Sequence, residues 1–213
     1  MTETFFVDVW SDVVCPFCYL GTRQLSNALQ GFEHRDDVVL RHRAFELDPQ
    51  APRDSGQTLD ERLAEKYAMP IERARALNEK LEGDAAALGM TWSMKRARPT
   101  NTFDAHRLIA HAGTQDLGHA MSERLFRAYF SEGQLLGDSD TLSALANDVG
   151  VTDADELWRS DDFAADVRVD EQQANERGVT GVPTMLFDEK FMVVGAQGSE
   201  QILDVLTRAW ARH

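Results

Sequence analysis

Cysteine is nearly missing from this 213-residue chain, which carries only two. Long apolar runs are missing too: no stretch approaches the roughly 18 consecutive apolar residues of a membrane-spanning helix. A secreted protein of this size braced by disulfides would hold more cysteines, so the pair points to chemistry rather than to stapling. Basic residues are outnumbered, 22 Lys and Arg against 36 Asp and Glu, for a formal net charge of −14. Such a surface repels phosphate backbones and anionic lipid, which argues against nucleic-acid and membrane partners. No cationic start precedes the first apolar patch, and Glu3 and Asp8 interrupt it, so no secretory signal is read and a cytoplasmic location is expected. Repeats and low-complexity linkers are lacking as well. What is present, 43% apolar and 27% charged residues, is ordinary for one substantial domain or a compact domain with an insertion.

The segment Thr4 to Trp10, TFFVDVW, is rich in β-branched and aromatic residues and reads as a strand. Cys15-Pro16-Phe17-Cys18 follows at once. Tyr19, Leu20, Leu25, Ala28, Leu29 and Phe32 then recur at a spacing that puts an apolar stripe on one face of a helix. Pro16 suits the first turn of that helix, where a missing N–H loses no hydrogen bond. Val38 to Leu47 reads as a second strand, long enough after the first for a parallel crossover. From Asp48 the signals turn helical: Thr58 to Glu61 fits a capping box, Pro70 a first helical residue and Gly89 a stop. Further starts are expected at Asn101, Ser139, Thr152 and Ser160, with stops near Gly113, Gly133, Gly150 and Gly178. Thr184 to Phe187 and Phe191 to Val194 flank Asp188-Glu189-Lys190 as a hairpin, and an amphipathic helix follows from Gly198. The two ends of the chain can therefore share one sheet, with the helical block inserted between them.

Cys15 and Cys18 lie where a strand hands over to a helix. Unpaired N–H groups and the positive end of the helix dipole favour thiolate over thiol at the first cysteine, and the thiolate is the form that attacks a disulfide. Two intervening residues bring the second sulfur within reach, so the pair can cycle between dithiol and disulfide. A zinc site competes poorly, because no second cysteine pair exists and His106 and His111, five apart, do not share a helical face. Val182-Pro183-Thr184 is the second feature, a proline ahead of an apolar strand and behind a glycine-rich approach. About 5 to 6% of X–Pro bonds are cis, so the residues alone favour trans there.

Taken together, several stretches resemble the thioredoxin superfamily, and more closely its DsbA-like FrnE branch. They are SDVVCPFCYLG at Ser11 to Gly21, FELDP at Phe45 to Pro49, NTFDAHR at Asn101 to Arg107, LFRAYFSEG at Leu125 to Gly133, GVTGVPTMLF at Gly178 to Phe187 and GAQ at Gly195 to Gln197. The resemblance implies an α/β, thioredoxin-like fold with an inserted all-helical domain. The catalytic domain would comprise residues 1–47 and 175–213, and the insertion residues 48–174. It implies Cys15 as exposed nucleophile, Cys18 as buried resolving thiol and Pro183 as a cis-proline facing them. Pro16, Phe17, Val182 and Pro183 would contact the substrate, with the Val182 backbone pairing with it as an added strand. The related 2-hydroxychromene-2-carboxylate isomerases and kappa-class glutathione transferases typically carry serine where this chain has Cys15.

The expected activity is thiol–disulfide oxidoreduction through a mixed disulfide, acting on protein or small-molecule thiols and disulfides. No metal or resident cofactor is expected, and glutathione is the candidate co-substrate. The alternative is a glutathione-dependent isomerase or transferase. Oligomeric state stays open between monomer and homodimer. Among secondary candidates, Asp12 and Glu46 are either proton acceptors for Cys18 or ordinary capping or solvated carboxylates. Trp10 and Phe17 form an apolar rim or pack in the core. Asn101 reads as a helix N-cap, His106 recurs in the family pattern, and Met90, Trp92 and Met94 form one apolar face, over the cleft or in the core. His34-Arg35-Asp36 resembles a kinase fragment by coincidence.

Overall fold

The computed structural model describes residues 4–213. Strand β1 (Phe5–Ser11) leads into helix α1 (Pro16–Gln30), and β2 (Val38–Ala44) returns parallel to β1, with Phe5 opposite Val38 and Ser11 opposite Ala44. The helices α2 (Leu59–Lys66), α3 (Ile71–Ala87), α4 (Phe103–Gly113), α5 (Gly118–Arg127), α6 (Ser139–Val149), α7 (Ala154–Leu157) and α8 (Ala164–Glu176) follow. Strands β3 (Thr184–Phe187) and β4 (Phe191–Val194) and helix α9 (Ser199–Trp210) close the chain. The sheet order is β2-β1-β3-β4, with β1–β3 and β3–β4 antiparallel. The strands and the hairpin thus lie within a few residues of where the apolar runs put them. No helix among the described residues is long and apolar enough to cross a membrane.

Two compact units emerge, one of residues 1–47 with 164–213 and the other of residues 48–163. The boundary expected at 175 falls instead before α8, because that helix is bonded to the sheet. Asp170 accepts hydrogen bonds from the Ala44 backbone N–H (3.0 Å) and the Arg43 guanidinium (2.9 Å), and its own carbonyl accepts from Trp10 Nε1 (3.0 Å). Asp8, buried inside β1, joins the same network through Arg41 and Arg43 at 2.6–2.8 Å. An aspartate in the middle of an apolar strand is tolerated only with such partners.

In the first unit, one face of the sheet supplies Phe5, Val7, Val9, Met185, Phe187 and Val193 to a core closed by Leu25 and Ala28 of α1 and Ile202, Leu206 and Ala209 of α9. The opposite face buries Trp10 and Leu186 with Ala174 of α8 and Val179. Within the second unit, the Thr58–Glu61 capping box forms in full at the start of α2. Other expected helix starts shift slightly. Pro70 is the N-cap of α3 rather than its first residue, and α4 begins at Phe103 with Thr102 as N-cap. Asn101 accepts the Phe103 N–H (3.0 Å) in an Asx turn, so its side chain stabilises the approach to the helix from one position further out. Ser160 likewise lies ahead of α8, which starts at Ala164. A π-helical turn at Ala128–Glu132 was not anticipated.

Candidate active site

Helix α1 begins at Pro16 because Cys15 leaves the helical conformation (φ −90°, ψ 115°) and serves as its N-cap, with no side-chain capping bond. The Cys15 N–H donates to Asp12 O (2.9 Å), which turns the chain out of β1, and the Cys15 carbonyl accepts from the N–H groups of Cys18 (3.1 Å) and Tyr19 (3.2 Å). This wind of the first turn brings the two sulfurs together as free thiols, close enough for a hydrogen bond between their side chains. Their surroundings differ. Cys18 has no solvent exposure. Burial first, and the hydrogen bond with Cys15 second, push its thiol well above the ordinary range, while the Asp12 N–H at 3.5 Å from Sγ pulls the other way.

The Cys15 thiol points across to the opposite end of the chain, donating to the Val182 carbonyl at 3.7 Å. The Val182–Pro183 bond is cis, as the resemblance implies and against the trans form favoured by the residues alone. Val182 is half-buried and Pro183 buried. Cys15 is not the exposed nucleophile expected: only 4% of the residue meets solvent, with its thiol against the Val182 carbonyl. Beside it Pro16 is half-buried, whereas Phe17 is 51% exposed, the largest open apolar surface at the site.

Asp12 is buried, with one carboxylate oxygen accepting the Leu47 N–H at 2.8 Å and the other 3.5 Å from the Val14 N–H. It therefore braces the loop that presents the cysteines against the exit from β2. Its charge also opposes ionisation of Cys18. Glu46 is buried too and binds Arg168 of α8 at 2.7 Å. Trp10 sits in the core rather than on a rim. His106 is buried on α4, and Met90, Trp92 and Met94 are buried within the second unit, where Trp92 stacks on Phe130 with ring centres 4.9 Å apart. Among the described residues, no group of three or more His, Cys, Asp or Glu side chains is arranged to hold a metal ion. Two contributors escaped the sequence reading: the double acceptor role of Asp12, and Gly21 of α1, which lies against Pro183. A glycine in mid-helix was the available signal for the second.

Comparison with known proteins agrees with this fold. The chain is 34% identical to a probable DsbA oxidoreductase from Streptomyces coelicolor, whose crystal structure superposes with a TM-score of 0.92 over 98% of this chain and 91% of that one. It is 28% identical over 203 residues to the uncharacterised protein YwbO of Bacillus subtilis (strain 168), covering 92% of this chain and 93% of that one. A 2-hydroxychromene-2-carboxylate isomerase shares the fold, with a TM-score of 0.66 at 19% identity over 97% and 95% of the two chains. The family model described as a DSBA-like thioredoxin domain matches residues 6–207, and the chain belongs to that family.

Proposed function

We propose that this protein is a thiol–disulfide oxidoreductase that works through the Cys15–Cys18 pair in the cytoplasm. The observation that carries the reading is the division of labour between the sulfurs. Cys18 is enclosed and held protonated, while Cys15 stands at the positive end of α1 with its thiol against the Val182 carbonyl. In the forward direction the Cys15 thiolate attacks one sulfur of a substrate disulfide and expels the other as a thiolate, which takes up a proton. Cys18 then gives up its proton and attacks the Cys15 sulfur of the mixed disulfide, releasing the second substrate thiol and leaving Cys15–Cys18 oxidised. The substrate gains two electrons that the protein dithiol loses. A low-molecular-weight thiol such as glutathione returns the pair to the dithiol. The reverse sequence oxidises a substrate dithiol.

Val182, Pro183, Pro16 and Phe17 are the substrate contacts in this reading. An incoming chain takes over the Val182 carbonyl from the Cys15 thiol, and main-chain pairing of that kind tolerates many sequences. Phe17 supplies the apolar surface beside it. A cytoplasmic setting suits a chain whose only two cysteines both lie at the site.

Cys15→Ser should abolish reduction of insulin disulfides, and Cys18→Ser should accumulate a mixed disulfide visible by mass spectrometry. Sustained turnover by the Cys15 variant would refute the mechanism. The isomerase fold neighbour defines the competing chemistry. Thiol titration before and after one turnover separates the two, because only disulfide exchange changes the oxidation state of the pair.

A further inference from the structure

The glycine at position 21 lies inside α1, with ordinary helical backbone. Nothing in its backbone conformation calls for glycine, and alanine is the better helix former. Space does call for it. A Cβ at this position would lie 2.9 Å from Pro183 Cγ, 3.5 Å from Pro183 Cβ and 3.4 Å from Met185 Cε. By contrast, the glycines at 83 and 113, also helical, have no atom within 4 Å of such a Cβ.

The partners of Gly21 have little room to yield. Met185 is fully buried and paired with Val9 on one side and Val193 on the other. Pro183 is a closed ring whose carbonyl accepts from Gly195 N (2.8 Å), and the next residue ties back through Thr184 Oγ1 to the Gly181 carbonyl (2.8 Å). The helix that Gly21 belongs to carries Cys15 at its N-cap and Cys18 in its first turn, and the segment it touches carries the Val182 carbonyl that meets Cys15 Sγ at 3.7 Å.

We propose that Gly21 is a positioning residue: by presenting no side chain to Pro183, it lets α1 and the Val182–Pro183 segment close to the separation at which Cys15 and the substrate-pairing backbone face each other. The inference rests on the thiol–disulfide reading, because it assigns Gly21 a role in the exchange rather than in the stability of the fold.

The test is a double-mutant cycle in the full chain with Gly21→Ala, Pro183→Ala and the double variant, and with Gly83→Ala as control for replacing a helical glycine. Two rates are measured: reduction of insulin disulfides, and alkylation of Cys15 by iodoacetamide, a small reagent that needs no strand pairing. Gly21→Ala should slow insulin reduction by roughly 10- to 100-fold, the scale on which small misplacements act. Cys15 alkylation should stay within about twofold of the wild type, since it depends on the thiolate and its access. In the Pro183→Ala background, where the ring atoms are gone, adding Gly21→Ala should change insulin reduction by less than about twofold. Equal losses in both backgrounds, or alkylation falling in step with exchange, would overturn the proposal. Should Gly21→Ala alone fail to fold, the double variant decides: recovery of a cooperative melt supports the contact, and continued failure overturns it. A wild-type chain inert toward insulin would instead remove the proposed function, while the coupling between positions 21 and 183 in thermal melts would still report on the contact.

Discussion

At the scale of single residues, Cys18 couples the proposed chemistry to stability. Its thiol is held protonated by burial and by Cys15, so its pKa in the folded protein lies above that in the unfolded chain. Below the free-thiol value of about 8.5 both states carry the proton and Cys18 favours neither. Above it the unfolded chain ionises first, and stability falls until the pH passes the folded value. In urea titrations of the reduced protein between roughly pH 8.5 and 10.5, the wild type should therefore lose stability faster than Cys18→Ala, by at most about 1.4 kcal/mol per pH unit. Parallel curves would show that Cys18 ionises in the folded protein as readily as in the unfolded one. The cysteine pair was legible in the sequence because both residues sit within one turn, directly after a β-rich run. The contacts of Asp12 with Leu47 and of Gly21 with Pro183 were not, because these partners belong to distant stretches and no spacing rule links them.

The elements show how far periodicity reaches. Alternating and β-branched runs located the strands, and the capping box located α2, since both signals are local. The same reading put α8 with the helical block, because nothing in its apolar pattern records that Asp170 and Glu171 face the backbone N–H groups of Ala44 and Glu46. These carboxylates occupy the outer edge of β2, where another strand would otherwise pair. Helix α3 offers a cleaner test of local rules. Gly83 is exposed in its interior with open space around it. Gly83→Ala should raise stability by about 0.5–1 kcal/mol through helix propensity alone, read as a higher urea midpoint with an unchanged slope. A lower midpoint would mean that the position has a role beyond the helix.

On the scale of the whole molecule, the sheet is assembled from opposite ends of the chain. Strand β1 pairs with β2 nearby in sequence and with β3 near the C-terminus, and the core beneath it needs both Leu25 of α1 and Leu206 of α9. The unit formed by residues 48–163 is continuous in sequence and has its own buried side chains, among them Phe126, Phe130 and Leu142. A chain ending at residue 163 should keep slowly exchanging amides in α4, α5 and α6 and show none in β1, α1 or β2, by hydrogen exchange read with mass spectrometry. Protection across β1 in that fragment would contradict the dependence of the sheet on its C-terminal half. The sequence order of strands and helices suggested this split, because each flank alone lacks enough strands for a sheet.

The 167-residue separation between Cys15 and Val182 has a consequence for biosynthesis. Both thiols leave the ribosome early, and the carbonyl that later covers Cys15 is translated only after most of the chain has emerged. Throughout that interval the nascent chain lacks the partner that the Cys15 thiol has in the finished fold, so this contact is among the last that synthesis allows to form.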